Sequence, residues 1–301
     1  MSSTGGLLQN KVLIEVRCNE YTMRDRNPNV PWTADEIADD AARCSEAGAA
    51  LIHFHGRTPD GAPAAMVEDY AAVIRAIRRK SDVLINPTLG AATIPDPEQR
   101  VAHIPLLASD PATRPDIAPV DLGSFNIDPY DASSKSFRNE DLVYRTSVRG
   151  LRHEIERIRG AGVAVQAVLW TIGSARLLGA FIEMGVLPQP ALVEITLSDG
   201  WLSTHPGTVR GLRAMVDFLP PAPLVWTVGL FDGNLLKLVT TAIELGGGIS
   251  IGLGDYPYRE FGQPTNAEVV GEVARMVRAS GRDVATADDL RGVLSLRGAA
   301  G

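Results

Sequence analysis

The chain has 301 residues and a formal net charge of −7, with 45% hydrophobic and 22% charged residues. This composition is that of a globular protein, not of a disordered or fibrous one. The acidic balance and the scattered lysines and arginines argue against nucleic acid or an anionic membrane surface as a partner, and no apolar run approaches the roughly 18 residues of a membrane span.

The first ten residues, MSSTGGLLQN, are predicted to be a flexible leader, and residues 11–301 a single domain. This segment lacks the succession of basic, apolar and small residues that makes a signal peptide. Two cysteines, Cys18 and Cys44, are too few for a disulfide framework. We therefore expect a cytoplasmic protein.

Eight short apolar runs with strand-like composition recur along the chain. They are KVLIEV (11–16), ALIHFH (50–55), DVLINP (82–87), DIAPVDLG (116–123), VAVQAVLW (163–170), ALVEITLS (191–198), PLVWTVGL (223–230) and GISIGLG (248–254). Helical periodicity separates most of them, which is the alternation expected of strand–helix units around a buried parallel sheet.

Two predicted helices begin at capping boxes, TADE (33–36) and TNAE (265–268), and the first should end at Gly48. Further amphipathic stretches cover 66–79, 139–160, 174–185, 207–217 and 233–246. No Gly-x-Gly-x-x-Gly fingerprint follows the first strand, so a dinucleotide-binding sheet is disfavoured. The predicted fold is an α/β protein of the (β/α)8 TIM-barrel type.

The active site of such a barrel lies at the carboxyl ends of its strands. His53 and His55 are two residues apart on the second strand, so both should face the mouth while Phe54 faces the helices. Two neutral imidazoles so placed can share a metal ion, and zinc is the leading candidate. Spacing alone leaves open the alternative of a buried structural His53 beside a hydrogen-bonding His55.

Other polar residues at the predicted strand ends have weaker signals. They include Arg17 and Glu20 after strand one, Arg57 after strand two, Asn86 and Thr88 at strand three, Asp121, Ser124 and Asn126 at strand four, Glu194 at strand six, and Ser250 and Asp255 at strand eight. Some have plain structural alternatives: Asn86 can shape a turn before Pro87, and Ser124 and Asn126 can cap a loop.

Several stretches together resemble the beta-keto acid cleavage enzyme family, which includes 3-keto-5-aminohexanoate cleavage enzymes. The resemblance runs over nearly the whole chain. It rests on an E-x-T motif, an N-P-x-x-P-W-T motif and an H-x-H-x-R motif in that order within residues 19–61, and on INPTLGA (85–91), LGSFNI (122–127), ELGGGISIGLGD (244–255) and residues 264–294.

The resemblance implies a (β/α)8 barrel, a homotetramer, and a divalent metal, commonly zinc. It also implies that a β-keto acid reacts with acetyl-CoA as co-substrate to give acetoacetate and a new acyl-CoA. By position, His53 and His55 match the metal-ligand pair, and Asp255 matches the acid/base aspartate. Glu20 matches a pocket glutamate that contacts the substrate, and Thr88 a pocket hydroxyl. Ser124, Asn126 and Arg57 are further candidate substrate contacts.

The chain departs from the family at its last strand. The family segment R-V-G-L-E-D is here SIGLGD (250–255), so Ser250 stands at the arginine position and Gly254 at the position of the metal-ligand glutamate. The third ligand is then open among Glu20, Asp121, Glu194, Asp255 and water. Loss of a charged ligand should weaken metal binding, and loss of the arginine should leave Asp255 without the partner that keeps it ionised.

Two functions follow from this sequence. The first is a metal-dependent beta-keto acid cleavage enzyme with a divergent site, in which the ion stabilises an enolate and Asp255 serves as base or proton relay. The second is an altered barrel that binds a small acid or CoA ester without turnover, or that runs a different metal-assisted reaction. Gly254 and Ser250 favour the second, whereas the first is favoured by His53, His55, Glu20 and Asp255.

Overall fold

A computed structural model describes residues 7–64, 66–90, 94 and 96–296. Eight parallel strands form one sheet, and we number only these, in chain order, as β1 Ile14–Arg17, β2 Leu51–Phe54, β3 Leu84–Pro87, β4 Ile117–Asp121, β5 Ala164–Leu169, β6 Ala191–Ser198, β7 Leu224–Phe231 and β8 Gly248–Ile251. Their order across the sheet is β3-β2-β1-β8-β7-β6-β5-β4.

The two ends of the sheet, β3 and β4, lie side by side. The amide of Asp116 donates to the carbonyl of Ile85 at 3.0 Å, and the amide of Ile85 donates to the Asp116 carboxylate at 2.8 Å. The barrel is therefore nearly closed. The predicted (β/α)8 fold is confirmed, and each of the eight predicted strand segments overlaps one of the observed barrel strands.

Helices cover the outside of the barrel. They are α1 Ala34–Ala47, α2 Val67–Arg78, α3 Pro97–Val101, α4 His103–Ala108, α5 Val148–Gly160, α6 Ile172–Glu183, α7 Val209–Asp217, α8 Val239–Glu244, α9 Asn266–Ala279 and α10 Ala287–Leu294, with 3-10 turns at Leu235–Leu238 and Arg259–Phe261. In the described part of the chain, no helix has the length and apolar character needed to cross a membrane.

Three pairs of two-residue strands lie outside the barrel sheet. Lys11–Val12 pairs in parallel with Asp283–Val284, and two antiparallel pairs lie between β4 and α5: Phe125–Asn126 with Val143–Tyr144, and Tyr130–Asp131 with Ser136–Phe137. The long connection after β4 is therefore a small β-structure over the barrel mouth.

Both predicted capping boxes are present. The hydroxyls of Thr33 and Thr265 accept from the amides of Glu36 and Glu268, whose carboxylates accept from the cap amides in return. Helix α1 ends at Gly48, whose φ of 123° is open to glycine without strain.

Some sequence predictions needed correction. The stretch 139–160 is not one amphipathic unit: its first part pairs with Phe125–Asn126, and α5 begins only after Ser147, whose hydroxyl accepts from the Gly150 amide. Helices α3, α4 and α10 were not predicted. The division into a leader over residues 1–10 and one domain from residue 11 stays a prediction; residues 1–6 lie outside the described chain, whereas Leu8 is buried against the barrel floor.

The barrel interior is layered. The lowest layer is apolar and contains Leu13, Leu51, Leu84, Leu192 and Val225. Above it lies a fully buried polar layer of Glu15, Asn86, Gln166, Glu194, Thr227 and Ser250. Hydrogen bonds join its members: Gln166 Nε2 donates to Glu15 at 2.9 Å and Asn86 Nδ2 to Gln166 Oε1 at 2.6 Å. This polar layer lies directly beneath the side chains of the barrel mouth.

Asn266, the first residue of α9, ties together three segments behind the mouth. Its Oδ1 accepts from the Leu253 amide at 2.7 Å, and its Nδ2 donates to the Cys18 carbonyl at 3.1 Å and to Asp40 of α1 at 2.7 Å. All of these groups are buried. The loops after β1 and β8 are therefore held at a fixed spacing.

We expect Asn266→Ala to lower the free energy of unfolding by about 2–3 kcal/mol, because it leaves the buried Leu253 amide without a partner and the buried Asp40 carboxylate with only its 3.7 Å contact to Arg43. Denaturant titration followed by circular dichroism measures the change. The matched control is Asn29→Ala, which removes an exposed hydrogen bond to Gln263 and should change stability by less than about 0.5 kcal/mol. Equal effects in the two variants would contradict the bridging role of Asn266.

Candidate active site

A cavity of about 350 Å³ opens at the carboxyl ends of the strands. One side is polar and includes Arg17, Glu20, His53, His55 and Thr88; the other is apolar and includes Phe125, Val168, Trp170 and Trp201. Its volume suits a small organic acid. It lies where the barrel fold predicts the active site.

His53 and His55 face this cavity together, with ring centroids 5.2 Å apart and planes at 80°. Phe54, between them, points outward and packs on Tyr70 of α2, as predicted. Burial and the nearby Arg17 charge lower the pKa of both histidines, that of His55 to about 3. Both imidazoles are therefore neutral near pH 7, the form that binds metals.

Glu20 lies in the loop after β1 with its carboxylate inside the cavity wall. It is 3% exposed, and its Oε1 lies 3.8 Å from His53 Nε2. Neither of its oxygens accepts a hydrogen bond from the residues the structure describes. Burial raises the pKa of this carboxyl, and the Arg17 charge opposes the rise.

Arg57 holds the Glu20 loop from outside. Its guanidinium donates to the carbonyls of Asn19 and Glu20 at 2.6 Å each and to the carbonyl of Gly61 at 2.7 Å. With its donors directed at backbone oxygens, Arg57 positions Glu20 at the cavity edge. Its predicted contact with substrate stays untested.

Arg17 is the cation at the centre of the site, and it is 7% exposed. Its Nη1 donates to both Glu194 oxygens at 2.8 and 2.9 Å, and its Nε lies 2.7 Å from Asp255 Oδ2 and 3.3 Å from Glu20 Oε1. Sequence reasoning placed Arg17 at a strand end without giving it a role. The alternation of Glu15 and Arg17 on β1 was the available signal that it points into the barrel.

The remaining predicted site residues divide into two groups. Thr88 lines the cavity, and its Oγ1 accepts from the Gly90 amide at 3.1 Å. Asp255 is buried behind Arg17 and does not line the cavity. Ser124 and Asn126 are exposed and lie outside it; Ser124 exchanges two 2.9 Å hydrogen bonds with the backbone of Thr146, as the loop-capping alternative predicts.

Aromatic rings form the apolar wall. Phe125 stacks on Tyr144 at 5.0 Å and contacts Trp170 at 4.9 Å, and Trp170 contacts Trp201 at 5.2 Å between centroids. Trp170 Nε1 donates to Asp121 at 2.6 Å. This hydrogen bond places the Asp121 carboxyl beside the apolar wall. Burial raises the pKa of this carboxyl.

Comparison with known proteins identifies the family. Residues 11–296 match the family model described as beta-keto acid cleavage enzyme. The chain belongs to the beta-keto acid cleavage enzyme family.

The relatives match more than nine tenths of the chain. It is 27% identical over 294 residues to a 3-keto-5-aminohexanoate cleavage enzyme of Fusobacterium nucleatum, covering 97% of this chain and 100% of that protein. It is 25% identical over 290 residues to a 3,5-dioxohexanoate:acetyl-CoA acetone transferase of Paraburkholderia graminis, covering 91% and 92%. Among solved structures, apo ObcA matches with a TM-score of 0.65 at 16% identity over 89% of this chain and 66% of that one, which supports the barrel fold alone.

The family implies a divalent metal, and the residues at the cavity can be compared with the ligands and charge that such a metal needs. Two neutral imidazoles stand side by side, and the nearest carboxylate is 3.8 Å from one of them. Three carboxyl groups surround the single guanidinium of Arg17, so the buried site holds more carboxyl oxygens than one cation can pair. Both features suit a divalent cation. Within the described chain, no three histidine, cysteine, aspartate or glutamate side chains are already gathered to hold one.

The buried carboxyls should make stability depend on pH. Burial raises the folded-state pKa of Glu194 to about 8 from 4.5, so the folded protein binds a proton that the unfolded chain has lost. Stability then falls as pH rises through this range, by up to about 1.4 kcal/mol per pH unit for one group.

We expect Glu194→Gln to remove part of this decline between pH 7 and 8, measured by denaturant unfolding at several pH values. The control is Glu154→Gln, because burial raises the pKa of Glu154 only to about 7, so its effect should end at lower pH. An unchanged pH slope in Glu194→Gln would contradict this assignment.

Proposed function

We propose that the protein cleaves a β-keto acid with acetyl-CoA, giving acetoacetate and a new acyl-CoA. The observation that carries the proposal is the pair of neutral imidazoles, His53 and His55, facing the cavity at the mouth of a barrel of this family. The name of the Paraburkholderia relative, an acetyl-CoA transferase acting on a keto acid, supports the same chemistry.

The reaction is a Claisen exchange in which atoms balance. A base removes a proton from C2 of the keto acid, and the carbanion attacks the acetyl carbonyl and expels the CoA thiolate. The thiolate then adds to the original C3 ketone, the C2–C3 bond breaks, and the proton returns to C2 of acetoacetate. The old acyl group leaves as its CoA thioester.

A divalent ion, zinc in our proposal, would be held by His53 and His55, and when bound it supplies the Lewis acidity that stabilises an enolate. We assign a proton-relay role for C2 to Asp255, which lies behind Arg17 with its Oδ2 2.7 Å from Arg17 Nε. Burial raises the pKa of this carboxyl, and the Arg17 charge opposes the rise. Glu20 faces the reacting atoms from the cavity wall, and Thr88 places a hydroxyl near the substrate oxygens. Ser124 and Asn126 are left out of the proposed site because they lie outside the cavity.

The far end of the cavity suggests the kind of keto acid. Phe125, Trp170 and Trp201 present apolar faces, and Asp121, whose carboxylate accepts from Trp170 beside them, would repel a second carboxylate. We propose that the substrate tail is apolar or carries no negative charge.

The test incubates the protein, as purified, with acetyl-CoA and a panel of β-keto acids that differ only in their tails. We expect acetoacetate and acyl-CoA from the neutral apolar acids, and at least tenfold lower kcat/KM for an acid with a tail carboxylate. Absence of acetoacetate across the whole panel would refute the proposed activity.

We expect His53→Ala to lose bound metal and activity together, because one of the two imidazole ligands is gone. Metal content by mass spectrometry and acetoacetate formation measure the two effects. His103→Ala is the matched control. His103 is a buried histidine whose Nε2 contacts the Thr88 carbonyl at 3.0 Å, and its replacement should leave the metal content unchanged. Retention of metal by His53→Ala would rule out this ligand assignment.

A second candidate function is binding of a small acid or CoA ester without turnover. Gly254 and Ser250, which replace the family's glutamate and arginine, favour it. Tight binding of a keto acid or CoA ester to a protein that forms no acetoacetate would support it.

Two further properties belong to the proposal. We propose a homotetramer, which rests on the family resemblance and is tested by light scattering on the purified protein. We also propose a cytoplasmic location, in keeping with the free, buried thiols of Cys18 and Cys44.

A further inference from the structure

Position 254 is where the loops after β1 and β8 meet. The amides of Tyr21 and Thr22 both donate to the Gly254 carbonyl at 2.9 Å, and the Thr22 hydroxyl donates to it at 3.1 Å. In return, the Gly254 amide donates to the Arg17 carbonyl at 3.0 Å. Four hydrogen bonds thus fix the Glu20 segment against Gly254.

The Glu20 side chain fills the space in front of Gly254. A Cβ added at Gly254 would overlap Glu20 Oε2 and lie 2.6 Å from Glu20 Cδ. Real side chains do not approach so closely, so a Cβ at 254 excludes the Glu20 side chain from its present position. The added Cβ would also lie 2.4 Å from the Glu20 backbone nitrogen. A carboxylate therefore still occupies this place, but it comes from the loop after β1.

Glu20 also differs from the other buried carboxyls of the site. Glu194 accepts two hydrogen bonds from Arg17 and one from Thr196 at 3.1 Å. Asp121 accepts from Trp170. Among the described residues, neither Glu20 nor Asp255 accepts a hydrogen bond at its carboxylate, but Asp255 Oδ2 lies 2.7 Å from Arg17 Nε, whereas Glu20 Oε1 lies 3.3 Å from it. Glu20 Oε1 is also 3.8 Å from His53 Nε2. A buried carboxylate in this condition needs a strong partner.

We propose that Glu20 is the third protein ligand of the metal held by His53 and His55, replacing the carboxylate that the family places at position 254. Ligand bonds of about 2.0–2.1 Å put two donor atoms of a tetrahedral zinc about 3.4 Å apart, so the carboxylate needs only a small movement from its present distance. The proposal rests on the metal of the proposed function, and not on the identity of the substrate.

The guanidinium shows the same relocation. Ser250 of β8 pairs in register with Glu15 of β1. Arg17, two residues further along β1, contacts Asp255, the partner expected of the family's arginine. Thus β1 and its loop carry both charged groups that β8 lacks. This parallel supports the assignment of Glu20.

The test compares three single variants, Glu20→Gln, Glu194→Gln and Asp255→Asn, each of which neutralises one carboxyl around Arg17. Chelator-treated protein is titrated with Zn²⁺ by calorimetry, so no catalytic activity is needed. We expect Glu20→Gln to weaken Zn²⁺ binding at least about tenfold, and each of the other two to change it by no more than about threefold. Unchanged binding in Glu20→Gln, or a larger loss in either of the other variants, would overturn the proposal.

A second variant guards against a folding defect in Glu20→Gln. Glu20→Asp keeps a carboxylate in the loop after β1 and shortens the side chain by one methylene. We expect Glu20→Asp to bind Zn²⁺ at least about fivefold more tightly than Glu20→Gln. Equal Zn²⁺ affinities in the two variants, both with wild-type circular dichroism and melting temperature, would also overturn the proposal.

The outcome is separable from that of the proposed function. A wild-type protein that forms no acetoacetate, but loses Zn²⁺ affinity on Glu20→Gln, refutes the reaction and supports the ligand. An active enzyme whose Zn²⁺ affinity is unchanged by Glu20→Gln supports the reaction and refutes the ligand assignment. Wild-type protein that binds no Zn²⁺ overturns the ligand assignment outright.

Discussion

The buried guanidinium of Arg17 is the interaction on which the site depends. It is the cation shared by Glu20, Glu194 and Asp255, which come from the loop after β1, from β6 and from the loop after β8. Without it, three carboxyls would be buried with no counter-charge, a far larger penalty than an exposed ion pair could offset. The hydrogen-bonded polar layer beneath, built on Glu15, supports Arg17 from the same strand.

The barrel could be predicted from the sequence because its signals are local. Strand runs, capping boxes and the alternation of His53, Phe54 and His55 each depend on a few consecutive residues. Short helices such as Pro97–Val101 and the paired strands at Phe125–Asn126 were missed, because a five-residue helix has little periodicity and a two-residue strand is defined only by its distant partner.

The site was predicted less evenly, for a related reason. His53 on β2, and His55 and Thr88 directly after β2 and β3, continue the strand parity and lie in the cavity wall. Ser124 and Asn126 follow β4 in a loop whose course depends on pairing with residues some twenty positions later. The role of Arg17 could not be read from its neighbours in sequence, since two of its carboxyl partners lie more than 170 residues away.

The closeness of Arg17 and Glu20 in the chain has a consequence for how this site can change. The guanidinium beside Asp255 and the carboxylate beside His53 belong to one four-residue stretch, residues 17–20. Hydrogen bonds join Gly254 to the first residue of this stretch and to the two residues that follow it. An inserted or deleted residue between Arg17 and Glu20 would displace the loop carboxylate relative to the strand guanidinium in one step. Position-by-position comparison records two losses on β8, whereas comparison of where charges lie in space finds a guanidinium and a carboxylate still beside Asp255 and His53.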